Sequence, residues 1–133
     1  MKFWTTGRID EKIEFEIFQP PMLEIERLIN SIFQNKNYGY EIVSYDVVVN
    51  IFKERSEERF KYSPKNKETD IDVNIDHDEF LNADFNKRCQ LYINAILHSI
   101  NGIRTNKHLS KFNFDALSKD VSSLSDKYNF PSL

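Results

Sequence analysis

DIDVNIDHDEFLNADFNKRCQLYINAILHSINGI, residues 70–103, changes its period part-way along, and that change decides the fold class. Ile71, Val73 and Ile75 alternate with Asp70, Asp72, Asn74 and Asp76, a period of two that gives a β-strand one apolar and one acidic face. Further on, Phe85, Cys89, Tyr92, Ile96, Ile100 and Ile103 recur every three or four residues, the stripe of a helix over about 84–104. Between them, DHDEFLNAD predicts a helical turn, with Phe80 and Leu81 closing over the end of a sheet. A half-buried strand feeding a largely buried helix is the centre of an α+β domain.

Upstream, Lys2–Ile9 reads as a first strand rich in β-favouring Phe3, Trp4, Thr5 and Thr6, with Gly7 marking a bulge or a close backbone approach. Asp10 is placed as a helix N-cap. Residues 11–19 carry two periods at once: Ile13, Phe15 and Ile17 alternate like a strand, while Ile13, Ile17, Pro21, Ile25, Leu28 and Ile32 form a helical stripe. The longer pattern favours a helix, or two abutting helices, over about 10–36, kinked or restarted at Pro20-Pro21 and ended near Asn37-Tyr38-Gly39. Glu41–Lys53 predicts a central strand wetted only at Ser44, Asp46 and Asn50. Glu58–Tyr62 predicts a shorter strand with Phe60 and Tyr62 inward, and Ser63-Pro64-Lys65-Asn66-Lys67 a turn leading into Asp70–Asp76. After a polar linker, Thr105–Lys111, a last helix over about 113–128 carries Phe114, Leu117, Val121, Leu124 and Tyr128, with Asn113 as its cap. The expected order is β-α-β-β-β-α-α in one domain over residues 1–133. Short turns between successive strands imply a single four-stranded, mainly antiparallel sheet with helices packed on one face.

Forty per cent hydrophobic residues, with eleven Phe and six Tyr, supply a core, and three Gly and four Pro argue against a loop-rich chain. A net charge of −3 argues against a free-standing nucleic-acid binder, which needs a basic surface. The charge is unevenly spread. Glu68–Glu79 holds six acids and no Lys or Arg, whereas Lys53–Lys67 holds six bases against three acids. One cysteine excludes an internal disulfide, and Cys89, on the apolar stripe of its helix, reads as a small buried hydrophobe. The polar, charged start MKFWTTGRID carries no signal peptide, and no apolar run approaches the roughly 20 residues that span a bilayer. A cytoplasmic protein is expected.

Catalytic and metal motifs do not emerge. The D-x-D-x-N at Asp70 opens like a calcium loop but then places Ile75 where the sharp turn wants Gly and Leu81 where a bidentate Glu belongs. His77, His98 and His108 have no His or Cys partner at a zinc-like spacing, and Asn94 is the local contact expected for His98. Three scattered glycines build no phosphate loop; Gly102 reads as close packing or early termination. No nucleophile stands in a GxSxG context. No enzyme, no cofactor and a binding role are the expectation, with a small hydrolase or nucleic-acid-processing enzyme, or a generic interaction module, as the alternatives.

KFWTTGRID (residues 2–10), YEIVSYDVVVNIF (40–52), DVNIDHDEFLNAD (72–84), QLYINAILHSI (90–100) and FNFDALSKD (112–120) follow one another in an order that resembles a single family, the Imm44-like immunity proteins of bacterial polymorphic toxin systems. KFWTTG, DHDEFLNAD and FDAL carry most of the resemblance, which spans nearly the whole chain. It implies an antitoxin that binds a cognate toxin C-terminal domain and blocks it, with no catalysis and no cofactor; from charge and hydropathy, no direct contact with nucleic acid or membrane is expected.

Were the toxin a nuclease, its groove would be basic, and an acidic strand face would fit it as a phosphate mimic. Glu68, Asp70, Asp72, Asn74, Asp76 and Asp78 are the candidates for that contact, against the plainer reading of a solvated face or a guarded strand edge. Glu11, Glu14, Glu16, Glu24 and Glu26 on the first helix form a competing surface; Trp4, if exposed, would make a binding anchor, but a lone Trp on a first strand is usually core.

Overall fold

The computed structural model describes residues 1–10 and 13–128. Its elements are β1 (Lys2–Ile9), α1 (Phe15–Asn35), β2 (Ser44–Ile51), β3 (Arg59–Ser63), β4 (Glu68–Asn74), α2 (His77–Leu81), α3 (Phe85–Ile103) and α4 (Phe114–Ser123), with 3₁₀ turns at Lys107–Leu109 and Leu124–Tyr128. The α+β class and the single four-stranded sheet stand. The strand order does not follow the chain: it is β1-β2-β4-β3.

The sheet is mixed, which corrects the mainly antiparallel meander expected from the short turns. β1 runs parallel to β2, β2 runs parallel to β4, and only β3 with β4 is antiparallel. The physical reason lies in what each strand can bury. Ile71, Val73 and Val49 are at most 1% exposed, so β4 and β2 occupy the middle. β3 keeps Arg59 and Lys61 in solvent and goes to the edge. A chain leaving β2 therefore passes beyond the neighbouring position, makes β3, and returns through a hairpin to fill the gap with β4. Lys67, at φ 54°, supplies the left-handed residue of that hairpin.

α1 and α3 cover one face of the sheet. α3 buries Cys89, Tyr92, Ile93, Ile96, Ile100 and Ile103, and α1 buries Phe18, Pro21, Ile25, Leu28, Ile29 and Phe33. Two glycines let the layers approach. A Cβ on Gly7 would lie 1.6 Å from the Phe18 ring, and one on Gly102 would lie 2.1 Å from Phe60. Both positions are close approaches, as their place in the sequence suggests. Side-chain caps start the later helices: Asp76 accepts from Glu79 N–H, Asp84 from Lys87 N–H and Asn113 from Ala116 N–H, each of a kind that contributes about 1 kcal/mol. Arg88 pins α2 from α3, donating to the Phe80 and Leu81 carbonyls.

Several boundaries differ from expectation. α1 is one helix from Phe15 through both prolines, with Glu14 at its N-cap. Asp10 does not cap it; its carboxylate accepts the Lys53 N–H. Glu11 and Lys12 lie outside the described residues. β2 starts at Ser44 rather than Glu41, and the last helix gives way to a 3₁₀ turn after Ser123.

Candidate functional site

Helices cover one face of the sheet; alternation along the strands sends the other side chains to the opposite face. The register arranges these in rows across the four strands. Lys2, Ser44, Glu68 and Ser63 form one row, and Thr6, Val48, Asp72 and Arg59 another. Between them stand Trp4, Asp46, Asp70 and Lys61. At the far end Arg8 meets Asn50 and Asn74. The acids Asp46, Glu68, Asp70 and Asp72 all sit on the two central strands, and the bases Lys2, Arg8, Arg59 and Lys61 all sit on the outer two.

The six residues picked from the sequence therefore do not form one acidic surface. Glu68 and Asp70 are exposed, and they lie in adjacent rows. Asp72 is 5% exposed: Arg59 Nε and Nη2 both donate to its Oδ2, at 3.2 and 2.9 Å, Asn50 Nδ2 donates to Oδ1, and Arg8 lies 4.0 Å away. That pairing raises the already high guanidinium pKa of Arg59, through the Asp72 hydrogen bond first and the charges of Asp70 and Asp72 with it. Asn74 is turned to structural use. Its side-chain amide donates to Ser56 C=O and accepts from Ser56 N–H, mimicking a strand and holding the β2–β3 loop. Asp76 caps α2, and Asp78, one residue beyond His77, sits beside the imidazole Nδ1 at 2.9 Å.

The first-helix surface is likewise divided. Glu26 accepts from the Thr5 N–H and hydroxyl, and Glu24 is held by Arg27 and Tyr128. Glu14 and Glu16 are exposed. His98 does not turn to Asn94; its Nε2 meets Glu58 Oε1 at 2.9 Å. Burial pushes the Glu58 carboxyl up, but His98, the Asn74 N–H and Arg55 together outweigh it and hold the group below its ordinary value. Cys89 is fully buried, and burial pushes its thiol up to about 12, which leaves it inert.

Sequence reasoning left Trp4 conditional; the structure exposes it at 51%. The signal was available, because alternation puts Trp4 with Lys2, Thr6 and Arg8 and opposite buried Phe3. Near the start of β1 and β2, two depressions of about 570 and 270 Å³ share Met1 and Phe33. Trp4 lines the first, and Tyr40 and Val43 line the second. Tyr40 is 79% exposed and Val43 51%. A further depression on the sheet face, about 610 Å³, is lined by Arg8, Asn50, Arg59 and Asp72 with the 56–58 loop. Two of its three carboxylates are already engaged, Asp72 by Arg59 and Glu58 by His98. What the face presents is a broad polar surface with an aromatic margin.

The sequence model of the family described as immunity protein 44 matches residues 1–126 of 133. The chain belongs to the immunity protein 44 family. No curated protein and no solved structure matches it. Immunity protein 44 membership implies a protein toxin as partner and a non-enzymatic role. No helix among the described residues is long and apolar enough to cross a membrane.

Proposed function

We propose that this immunity protein neutralises a cognate toxin domain by one-to-one binding, acting as a single domain, and that the uncovered sheet face is the surface it uses. The observation that carries the choice of surface is Trp4, half-exposed and directly across the strand from Asp46. Large surface aromatics beside charged groups are where binding energy concentrates. Asp46 and Glu68 are in no ion pair among the described residues, and Asp70 is approached only by Arg59, at 3.8 Å. Their charge is free to meet a basic partner, steering its approach and favouring it over neutral surfaces. A toxin with a basic groove, as a nuclease has, fits that arrangement.

The test is co-expression with the toxin domain encoded beside this chain. Co-purification at one to one with rescued growth supports neutralisation; no complex and no rescue overturns it. Trp4→Ala and Asp70→Lys then locate the surface. If both variants fold and bind the toxin as tightly as the parent, the sheet face is not the site.

A further inference from the structure

The two edges of the sheet are built differently. Along β1, Asn30 of α1 takes both main-chain groups of Phe3, and Glu26 takes the Thr5 N–H. Over Phe3 and Thr5 that edge is covered by side chains. Among the described residues no side chain does the same for the main chain of Arg59–Ser63, which has β4 as its one strand neighbour. Alternate residues of those five turn their backbone donors and acceptors outward along a free edge, the template on which a further strand adds.

β3's own choice of neighbour says what kind of strand fits. On its inner side it pairs with an alternating acid–apolar sequence: Arg59 stands opposite Asp72 and Lys61 opposite Asp70, while Phe60 stands opposite Ile71. Side chains of a strand serve both of its edges equally. The outer edge therefore offers the same pattern, bases on the open face and half-buried Phe60 and Tyr62 on the helix face. A second copy of this chain is a poor occupant, because pairing β3 with β3 sets Arg59 and Lys61 against their own kind, and like charges opposite one another destabilise a sheet. The same lysine that repels a copy selects an acidic partner. This also gives a role to the basic stretch 53–67, whose middle part is β3, the outer rim of the sheet.

We infer that β3 is a docking edge for an extended segment of another protein in which acidic and apolar residues alternate. The inference stands apart from the sheet-face reading and does not depend on it.

The experiment is an amide NMR titration of the full chain with a synthetic peptide of the sequence ETDIDVNI, which reproduces residues 68–75. The expected result is shifts and slowed amide exchange confined to Arg59–Ser63 and its immediate neighbours. The peptide ETKIKVNI should leave those amides unmoved. Lys61 is exposed and in no ion pair among the described residues, so Lys61→Glu should keep the fold and weaken the acidic peptide about fivefold. Absence of shifts with ETDIDVNI, shifts elsewhere on the molecule, or equal binding of the lysine peptide overturns the inference. So does binding of a single-stranded oligonucleotide in place of the peptide, since phosphate attraction would then account for the basic rim.

Discussion

Arg59 and Asp72, thirteen residues apart on adjoining strands, form a charge pair that joins the solvent to the middle of the sheet. The carboxylate is buried, the guanidinium half-exposed, and two hydrogen bonds at 2.9 and 3.2 Å connect them. Removing the carboxylate leaves Arg59 and the Asn50 amide facing a neutral or wrong-sign group. Asp72→Asn is expected to cost about 2 kcal/mol in urea unfolding. Asp70→Asn, on an exposed carboxylate two residues earlier, should stay within about 0.5 kcal/mol. A loss of toxin binding in an Asp72 variant is therefore meaningful only beside its stability, whereas Asp70 reports binding directly.

Asn30 holds both main-chain groups of Phe3 at 2.9 Å. Asn30→Ala leaves a donor and an acceptor of an edge strand without protein partners. A destabilisation of about 2 kcal/mol is expected, together with concentration-dependent association by light scattering as the β1 edge opens. A variant that stays monomeric and as stable as the parent would show that the cover is dispensable.

The two contact glycines should differ in cost. The Phe18 ring over Gly7 is buried and has Tyr92 at 6.4 Å behind it, so it cannot swing away. Gly7→Ala is expected to cost about 2 kcal/mol, and Phe18→Leu in the same chain should recover part of it. Phe60 against Gly102 is only half-buried. Gly102→Ala should cost about 1 kcal/mol, because that ring can move outward.

Phe3 and Trp4 are consecutive and point to opposite faces, 1% and 51% exposed. Phe3→Ala is expected to lose about 3–5 kcal/mol through the cavity it leaves, and Trp4→Ala less than about 1 kcal/mol. Thermal unfolding of the two variants measures the difference. A large loss from Trp4→Ala would mean that the indole serves the core and not a partner.

Acid should weaken the junction between α1 and α4. The Tyr38 hydroxyl donates to Asp120 at 2.6 Å and Lys36 Nζ at 2.9 Å, and these hold the carboxyl below its ordinary value against the opposing effect of burial. A carboxyl depressed in the folded state contributes stability above its unfolded pKa, about 4, and loses it as pH falls through the lower folded value. Asp120→Asn should flatten that part of the stability profile. At the other end, burial raises Tyr38, Tyr45, Tyr92 and Tyr128 above the usual phenol value. Their neutral forms contribute stability that is intact below about pH 10 and is lost as pH rises beyond it. Ionisation of these four phenols should therefore accompany unfolding and not precede it.

Local order was legible, and spatial neighbours were not. β1, the cap at Asn113, the α2 turn and the stripe of α3 each follow from residues within a few positions of one another. The place of β3 depends on which strand is richer in fully buried side chains, a comparison between segments that a short charged loop between β2 and β3 conceals. The acidic alternation of β4 was read correctly as one face, yet its character depends on Arg8 and Arg59 from strands on either side. Asp72 thus became part of the interior while Asp70, with the same local pattern, stayed outside. Trp4 is the opposite case, since its face could be assigned from its own strand.

The hairpin that sends β4 back between β2 and β3 also sets an order on synthesis. A ribosome delivers β1, α1 and β2 first, and these form a βαβ unit whose strands already pair. β3 emerges with no hydrogen-bonding neighbour and has to wait for seven more residues of strand before it belongs to the sheet. Until then β2 offers an unoccupied inner side to any extended chain nearby, and the nascent protein is most open to mispairing in that interval.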